Sequence, residues 1–503
     1  MKSQLPPRTR LIFAIGAAAL AVAACSPAAS PEASWPPLAK KWFDRAAVSY
    51  AEVDLEDAEQ AVDNALRIDP NRDEIRLLAA RIALASLDYA RAVQLLDGLQ
   101  SSEASALRGR ALWYSGKLEQ AADALEALLT DPDVKDVWAQ EVSKLARRGA
   151  GRTPFKMSGG MLAVEEMPQV GGGGLIVPVE VNGEPALGML ATGTAEAFID
   201  SSGGNTEPSW VSLRFGGRIE VKDVPAFPKD LSGLSRQYGA PIKLLLGVNL
   251  LRHLHATFDY AGSQFVVRSF EPPPPPHATT IHVAYVRGGG MVMRGGLGSD
   301  ANAPTATLMV DTSMSFPLAL DETGWKKAGV SLSSLRPVPH GGGLKHGTLP
   351  LFRLGAFEIP EVPAVYGAPV KELEAGLGVS LDGVIGAGLL AAFRVTLADE
   401  GRTLWLEDLP GAIPTVPGPA EPSVAPPPPD GERLQLDRPG GVAVPPGAEL
   451  PGGAAPPGAP APAKPAPVPA KPAPAPAKPA PAPAKPAPAP AKPAPAPGGN
   501  QPR

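Results

Sequence analysis

The sequence predicts a multidomain chain: all-α helical repeats, then an all-β domain of two like lobes, then a disordered Pro-rich tail. Three observations predict it. A helical pattern between residues 38 and 150 repeats itself at a 34-residue offset. Between residues 160 and 410, short Val/Ile/Leu/Phe runs punctuated by Gly, Pro and Asn recur in the same order, 120 to 139 residues apart. Beyond residue 410 the chain is mostly Pro, Ala and Gly, and 32 of the 62 prolines lie in this last fifth. With 503 residues and a formal charge of −5, there is room for two or three domains and no case for nucleic acid or acidic substrates as partners.

The first element is a short one. Lys2, Arg8 and Arg10 precede an apolar run from Leu11 to Ala24, too short to span a bilayer and remain there. Residues 1–24 therefore read as a signal peptide. The run ends in Val22-Ala23-Ala24-Cys25, which resembles the bacterial lipobox. That resemblance implies a diacylglyceryl group on Cys25 and cleavage just before it; the alternative is an ordinary secretory signal with a chance cysteine. Cys25 is the only cysteine, so no intrachain disulfide can form. Ser26, rather than Asp, resembles the sorting preference for the outer membrane. The implied location is the bacterial cell envelope, lipid-anchored and facing the periplasm, with residues 25–37 as a tether.

From Leu38 to Ala150 the pattern is helical, rich in Ala, Leu, Glu and Arg. Asp54-Leu55-Glu56-Asp57-Ala58 matches Asp88-Tyr89-Ala90-Arg91-Ala92, and a shorter third unit opens at Gly116-Lys117-Leu118-Glu119-Gln120-Ala121. Asp69-Pro70-Asn71 and Asp131-Pro132-Asp133 fall where helix pairs would turn. The small Ala58, Ala92 and Ala121 allow paired helices to approach closely. This period resembles that of tetratricopeptide repeats; an unrelated helical bundle is the alternative. Stacked helix pairs present a concave surface, which implies a protein or peptide partner. Three units are near the minimum for a stable array, so the repeats are expected to lean on the domain that follows.

In the β region, Gly171 to Gly174 and Pro272 to Pro276 act as punctuation, and the second run separates residues 160–271 from 277–410. Gly217 to Ala226 matches Gly355 to Ala364 at an offset of 138. Leu246-Gly247-Val248-Asn249-Leu250-Leu251 matches Ile385-Gly386-Ala387-Gly388-Leu389-Leu390 at 139, an offset that also carries Thr257 onto Thr396. Upstream, Leu190-Ala191-Thr192-Gly193 matches Val310-Asp311-Thr312-Ser313 at 120. That order of blocks resembles the two-lobed, pepsin-like and retropepsin-like aspartic proteases; the alternative is a generic pair of β-barrels with Asp311 as a turn residue.

The resemblance implies one carboxylate from each lobe, a pair that shares a proton and divides acid and base work. By position, Asp311 matches the second-lobe aspartate, Thr312 the threonine that braces the two loops, and Ser313 stands in place of the usual glycine. In the first lobe Thr192 and Gly193 match, but Ala191 stands where the aspartate belongs, and a methyl group moves no proton. Gly247 and Gly386 are the glycines expected to pass beneath the loops. Asp200 is expected not to reach back to the vacant position. A flap hairpin is implied, with the segments around Phe215-Gly216-Gly217 and Leu354-Gly355 as candidates. His253 and His255 read as alternating around the start of a strand, His340 and His346 as flanking a Gly-rich loop, all four as loop or surface residues without metal-ligand spacing. No metal and no cofactor is expected.

The tail, residues 411–503, carries the repeat AKPAPAP, with Lys464, Lys471, Lys478, Lys485 and Lys492 evenly spaced. It reads as polyproline II without a core, a cationic strand that could touch anionic cell wall or serve only as a spacer.

The leading reading is a binding or scaffolding lipoprotein with an inactive protease-like domain. The rival is an active aspartic peptidase using Asp311, as a dimer or with an unidentified partner group, and a third reading is a structural link from membrane to cell wall. Lipidation gives the first test: processing of the full-length precursor is expected to stop with globomycin and with Cys25→Ser. Normal maturation under both conditions would exclude the anchor.

Overall fold

The computed structural model describes residues 35–168, 173–204, 206–287, 289–298, 304–339 and 342–408. The segments expected as signal peptide and, for the most part, as tether, with Cys25, lie outside the described residues, as do Gly171, Gly172, His340 and residues 409–503. Among those described, no helix is long and apolar enough to cross a membrane.

Seven described helices run from Pro37 to Arg148: Pro37–Ala51, Leu55–Ile68, Asp73–Ala85, Tyr89–Leu95, Ser102–Tyr114, Leu118–Leu129 and Val137–Arg148. The 34-residue echo has a local cause. Asp54 and Asp88 are the N-caps of the second helix in successive pairs, accepting from the backbone N–H of Asp57 at 3.3 Å and of Arg91 at 3.0 Å. At the third unit Lys117 holds that place and makes no side-chain cap, which is why the motif fades there. Ala58, Ala92 and Ala121 are buried where helices meet. Asp69-Pro70-Asn71 and Asp131-Pro132-Asp133 both fall between helices, as their turn chemistry requires.

After Arg148 the chain turns to strands, which form two sheets. The first has the order Lys156–Gly159, Ile219–Lys229, Ala197–Asp200, Ile242–Gly247, Glu184–Ala191, Ile176–Val181 and Ser209–Phe215. Ser209–Phe215 also pairs with Ile219–Lys229, so the sheet curls on itself. It begins at Lys156, ahead of the residue 160 suggested by composition, because four mostly exposed residues give no alternating signal.

The second sheet serves both halves of the β region. Its second-lobe part comprises Gly290–Leu297, Thr305–Asp311, Leu318–Leu320, Gly383–Gly386, Lys345–Leu354, Phe357–Tyr366 and the short edge strand Arg336–Pro337. Six further strands form a bridge in the order Thr279–Val286, Thr403–Asp408, Phe393–Ala398, Thr257–Asp259, Gln264–Arg268 and Leu162–Glu166. The last three come from the first half of the β region. At the middle of this bridge Thr257 faces its counterpart Thr396, their hydroxyls 2.8 Å apart, and Asp259 pairs with Arg394 at 2.6 Å. The duplication read from the sequence is thus a two-fold relation about the Thr257–Thr396 contact. It extends further than the sequence reading took it. Helices Ser232–Tyr238 and Val370–Leu377 end on Gly239 and Gly378, both in the left-handed region, at the same 139-residue spacing.

The repeats share apolar clusters with the β region rather than standing apart. Tyr50, Ala79 and Ile82 belong to one cluster with Ala284, Val292 and Val384 of the second lobe. At the other end Trp113 packs on Trp210, ring centroids 6.1 Å apart, and Trp210 donates to the Leu145 carbonyl at 3.2 Å. Buried Glu196, in the loop after Ala191, accepts from the Tyr114 hydroxyl at 3.1 Å and the Trp138 indole N–H at 3.2 Å. Burial raises its pKa above the usual carboxylate range, and the two donors hold that rise back. Glu196→Ala would strand both donors in a dry void. A loss of about 2–4 kcal/mol is expected, read as a lower urea midpoint, while an unchanged midpoint would mean that the repeats are not pinned there.

Candidate functional site

Strand Glu184–Ala191 delivers Ala191, and strand Thr305–Asp311 delivers Asp311. Each runs parallel to the segment predicted to pass beneath its loop, with Ala191 beside Gly247 and Asp311 beside Gly386. These two glycines are required by space. A Cβ on Gly247 would stand 2.1 Å from the Glu196 carbonyl oxygen, and one on Gly386 would stand 1.9 Å from that of Phe316. The short helices that follow donate upward into the loops, Val248 N–H to the Thr194 carbonyl at 2.8 Å and Ala387 N–H to that of Met314 at 2.7 Å.

The two loops are tied by a reciprocal set of bonds. Thr192 Oγ1 donates to the Val310 carbonyl at 2.9 Å and accepts from Thr312 N–H at 3.0 Å. Thr312 Oγ1 donates to the Leu190 carbonyl at 2.8 Å and accepts from Thr192 N–H at 3.1 Å. Both threonines are fully buried, so each hydroxyl satisfies a donor and an acceptor of the opposite loop that water cannot reach.

On this frame positions 191 and 311 differ. Asp311 is half-buried, and its Oδ1 accepts from Ser313 N–H at 2.9 Å and Ser313 Oγ at 2.6 Å. Serine in place of glycine therefore keeps the backbone donor and adds a hydroxyl. Across the interface, Gly193 lies so close that a Cβ there would be 2.4 Å from the Asp311 carboxyl carbon. Ala191 is 2 % exposed and belongs to an apolar cluster with Ile176, Met189, Leu231, Tyr238, Ile242 and Leu245. Its surroundings are those of a packed methyl group.

Tyr238 was not singled out from the sequence. It ends helix Ser232–Tyr238, shares the cluster with Ala191, and donates across the interface to the Ser313 carbonyl at 3.3 Å. Burial, then the nearby Asp311 charge, raises its pKa. Its counterpart at the 139-residue spacing is Leu377, so the duplication offered no signal for it.

The remaining sequence candidates fall away from this centre. Asp200 is engaged with Lys243 at 2.7 Å, Ser202 N–H at 3.1 Å and Leu231 N–H at 3.2 Å. Against the upward push of burial, these partners hold its pKa well below the usual range. Neither hairpin candidate covers the loops: Gly216 lies against Ala163 and Glu165, and Gly355 against Thr279 and Ile281, all on the bridge. Both tips read as flaps because a Gly-marked turn looks alike at either end of a curled strand pair. His253 departs from the expectation of a loop or surface residue, whereas His255 lies in the turn before strand Thr257–Asp259. His253 closes helix Val248–His253 and stacks on Phe155, ring centroids 4.5 Å apart, while His255 Nδ1 lies 2.7 Å from Glu271. Burial, then Arg252 and His255, push the His253 pKa down to about 3. The helix lies between strands Ile242–Gly247 and Thr257–Asp259 and places His253 in its last turn. His346 is exposed on strand Lys345–Leu354. Among the described residues no group of three or more His, Cys, Asp or Glu converges as a metal site would.

No family model matches this chain, and no curated protein does. Solved structures with partial likeness include a retropepsin-like aspartic protease from Rickettsia conorii, 21 % identical, covering 26 % of this chain and 90 % of that one, with a TM-score of 0.20. Another is the Arabidopsis OM64 TPR domain, 16 % identical, covering 22 % of this chain and 96 % of that one, with a TM-score of 0.21.

Thr312→Val keeps the shape of the side chain and removes both of its bonds, leaving the Leu190 carbonyl and Thr192 N–H buried without partners. About 2–4 kcal/mol of stability is expected to go, measured by the shift in denaturation midpoint. A change within about 0.5 kcal/mol would show that the loops do not need this tie.

Proposed function

We propose that this protein is an envelope lipoprotein whose two-lobed, aspartic-protease-like domain holds an extended peptide or protein partner without cutting it, beside repeats that bind partners of their own. One observation carries the reading: Ala191, at 2 % exposure, is a methyl group packed among apolar side chains at the position opposite Asp311. Peptide hydrolysis by this kind of site needs two carboxylates, one to take a proton from water and one to give or share a proton at the carbonyl. With one of them replaced by Ala191, water is not activated, yet a groove between two lobes can still grip an extended backbone.

Asp311 favours a second reading, that of an active aspartic peptidase. Its carboxylate is held by Ser313 N–H and Oγ, and the braced loops around it are complete, so half of a catalytic site is built. That reading needs a partner acid. Pairing Asp311 with its copy in a dimer would require the interface that Thr192 and the first lobe already occupy within one chain. The link to the cell wall rests on the tail alone.

A peptide library assayed between about pH 3 and 7 separates the readings, with Asp311→Ala beside the parent. Binding without cleavage in both is expected. Cleavage by the parent that disappears in Asp311→Ala would overturn the non-catalytic reading in favour of the peptidase. Ala191→Asp supplies the converse probe, where gained cleavage is the expected mark of a site that lacks only its second carboxylate.

A further inference from the structure

Arg252 is a buried cation beside which no carboxylate lies among the described residues. Its residue is 5 % exposed, at the end of helix Val248–His253. Its Nε donates to the Asn249 side-chain oxygen at 3.3 Å and its Nη2 to the Tyr114 carbonyl at 3.3 Å. Both acceptors are neutral, and both distances lie at the long end of the range. The ring of Tyr89 lies 5.6 Å from the guanidinium carbon, and the guanidinium also hydrogen-bonds to the Tyr89 hydroxyl, a third neutral partner. Among the described residues no carboxylate comes within 4.0 Å of it. A guanidinium has five N–H donors in a flat fork, and removing it from water without a counter-charge costs several kcal/mol.

This arginine lines a cavity of about 490 Å³ where the repeats, the connecting segment and both halves of the β region meet. The walls beside it are flat and largely apolar: Phe155 stacked on His253, with Trp113 and Tyr114 from the helical side. Two other charged residues line the cavity, and each has its own partner. Arg152 pairs with Asp223, and Glu400, largely exposed, lies 3.4 Å from Arg402. One unneutralised fork therefore faces an aromatic chamber of the size that takes a small ligand.

We propose that this cavity binds a small organic carboxylate, its anionic end on the Arg252 guanidinium and its apolar body between Phe155 and Trp113. A carboxylate fits the fork with two parallel hydrogen bonds and cancels the single positive charge. The site is separate from the Asp311 loops and does not depend on the reading given for them.

Benzoate is a suitable probe, titrated by calorimetry into the full chain, with a thermal melt in parallel. Saturable binding and a raised melting temperature are expected, unchanged in Asp311→Ala and weakened roughly tenfold or more in Arg252→Gln. Phe155→Ala, which leaves the charge in place, is expected to weaken benzoate too, and it keeps the test decisive if Arg252→Gln does not fold. Inorganic phosphate is expected to bind less tightly than benzoate, because it lacks the apolar body. No saturable binding to the folded parent overturns the proposal. So does equal affinity in folded Arg252→Gln, undiminished affinity in Phe155→Ala, or phosphate binding as tight as benzoate.

Discussion

Thr192 and Thr312 exchange four hydrogen bonds across the lobe interface, each hydroxyl giving to a carbonyl of the other loop and taking from its N–H. Each of these four backbone groups would otherwise be a buried polar atom without a partner, so the lobes cannot drift apart without leaving several unsatisfied at once. The rest of the centre follows from this tie. It fixes the ends of strands Glu184–Ala191 and Thr305–Asp311, and so decides where the side chains of residues 191 and 311 stand. It also brings Gly193 hard against the Asp311 carboxyl, where no side chain would fit. None of these constraints refers to the identity of residue 191. That position can hold a methyl group while the threonines and glycines around it stay fixed by sterics and hydrogen bonding.

A second dependence runs from this centre to the helices. The loop after Ala191 carries Glu196 into the aromatic face of the repeats, and the helix beneath that loop carries Arg252 in its last turn, where it reaches Tyr114. Loop, repeats and the cavity beside Arg252 therefore share one contiguous set of contacts. The helical segment is a wall of the β domain as much as a module in its own right, which explains how a three-unit array stays folded.

The sequence was most informative where function and packing left repeated marks. The 34-residue echo came from two N-cap aspartates, Asp54 and Asp88, and the 139-residue echo from glycines that must pass under carbonyl oxygens, Gly247 and Gly386. Such positions tolerate few alternatives, so they survive in recognisable form. What stayed hidden is what only one half of the duplication carries, or what depends on distant parts of the chain. Tyr238 has Leu377 as its counterpart and gave no echo. Glu196 and Arg252 look like surface charges until helices some 60 to 140 residues earlier are laid over them. The hairpin tips at Gly216 and Gly355 were misplaced because a turn signal carries no information about which end of a curved sheet it will occupy.

The bridge bears on the order in which the chain can fold. Leu162–Glu166 pairs with Gln264–Arg268, about a hundred residues later, and Thr257–Asp259 pairs with Phe393–Ala398, later by roughly another 140. The first sheet is complete within residues 156–247, whereas the bridge needs strands from both halves of the β region. Pairings of such long range put a large loop-closure entropy before any stabilising contact, which slows folding. The two halves of the β region therefore share one sheet, and Thr403–Asp408, the last described strand, lies inside it between Thr279–Val286 and Phe393–Ala398.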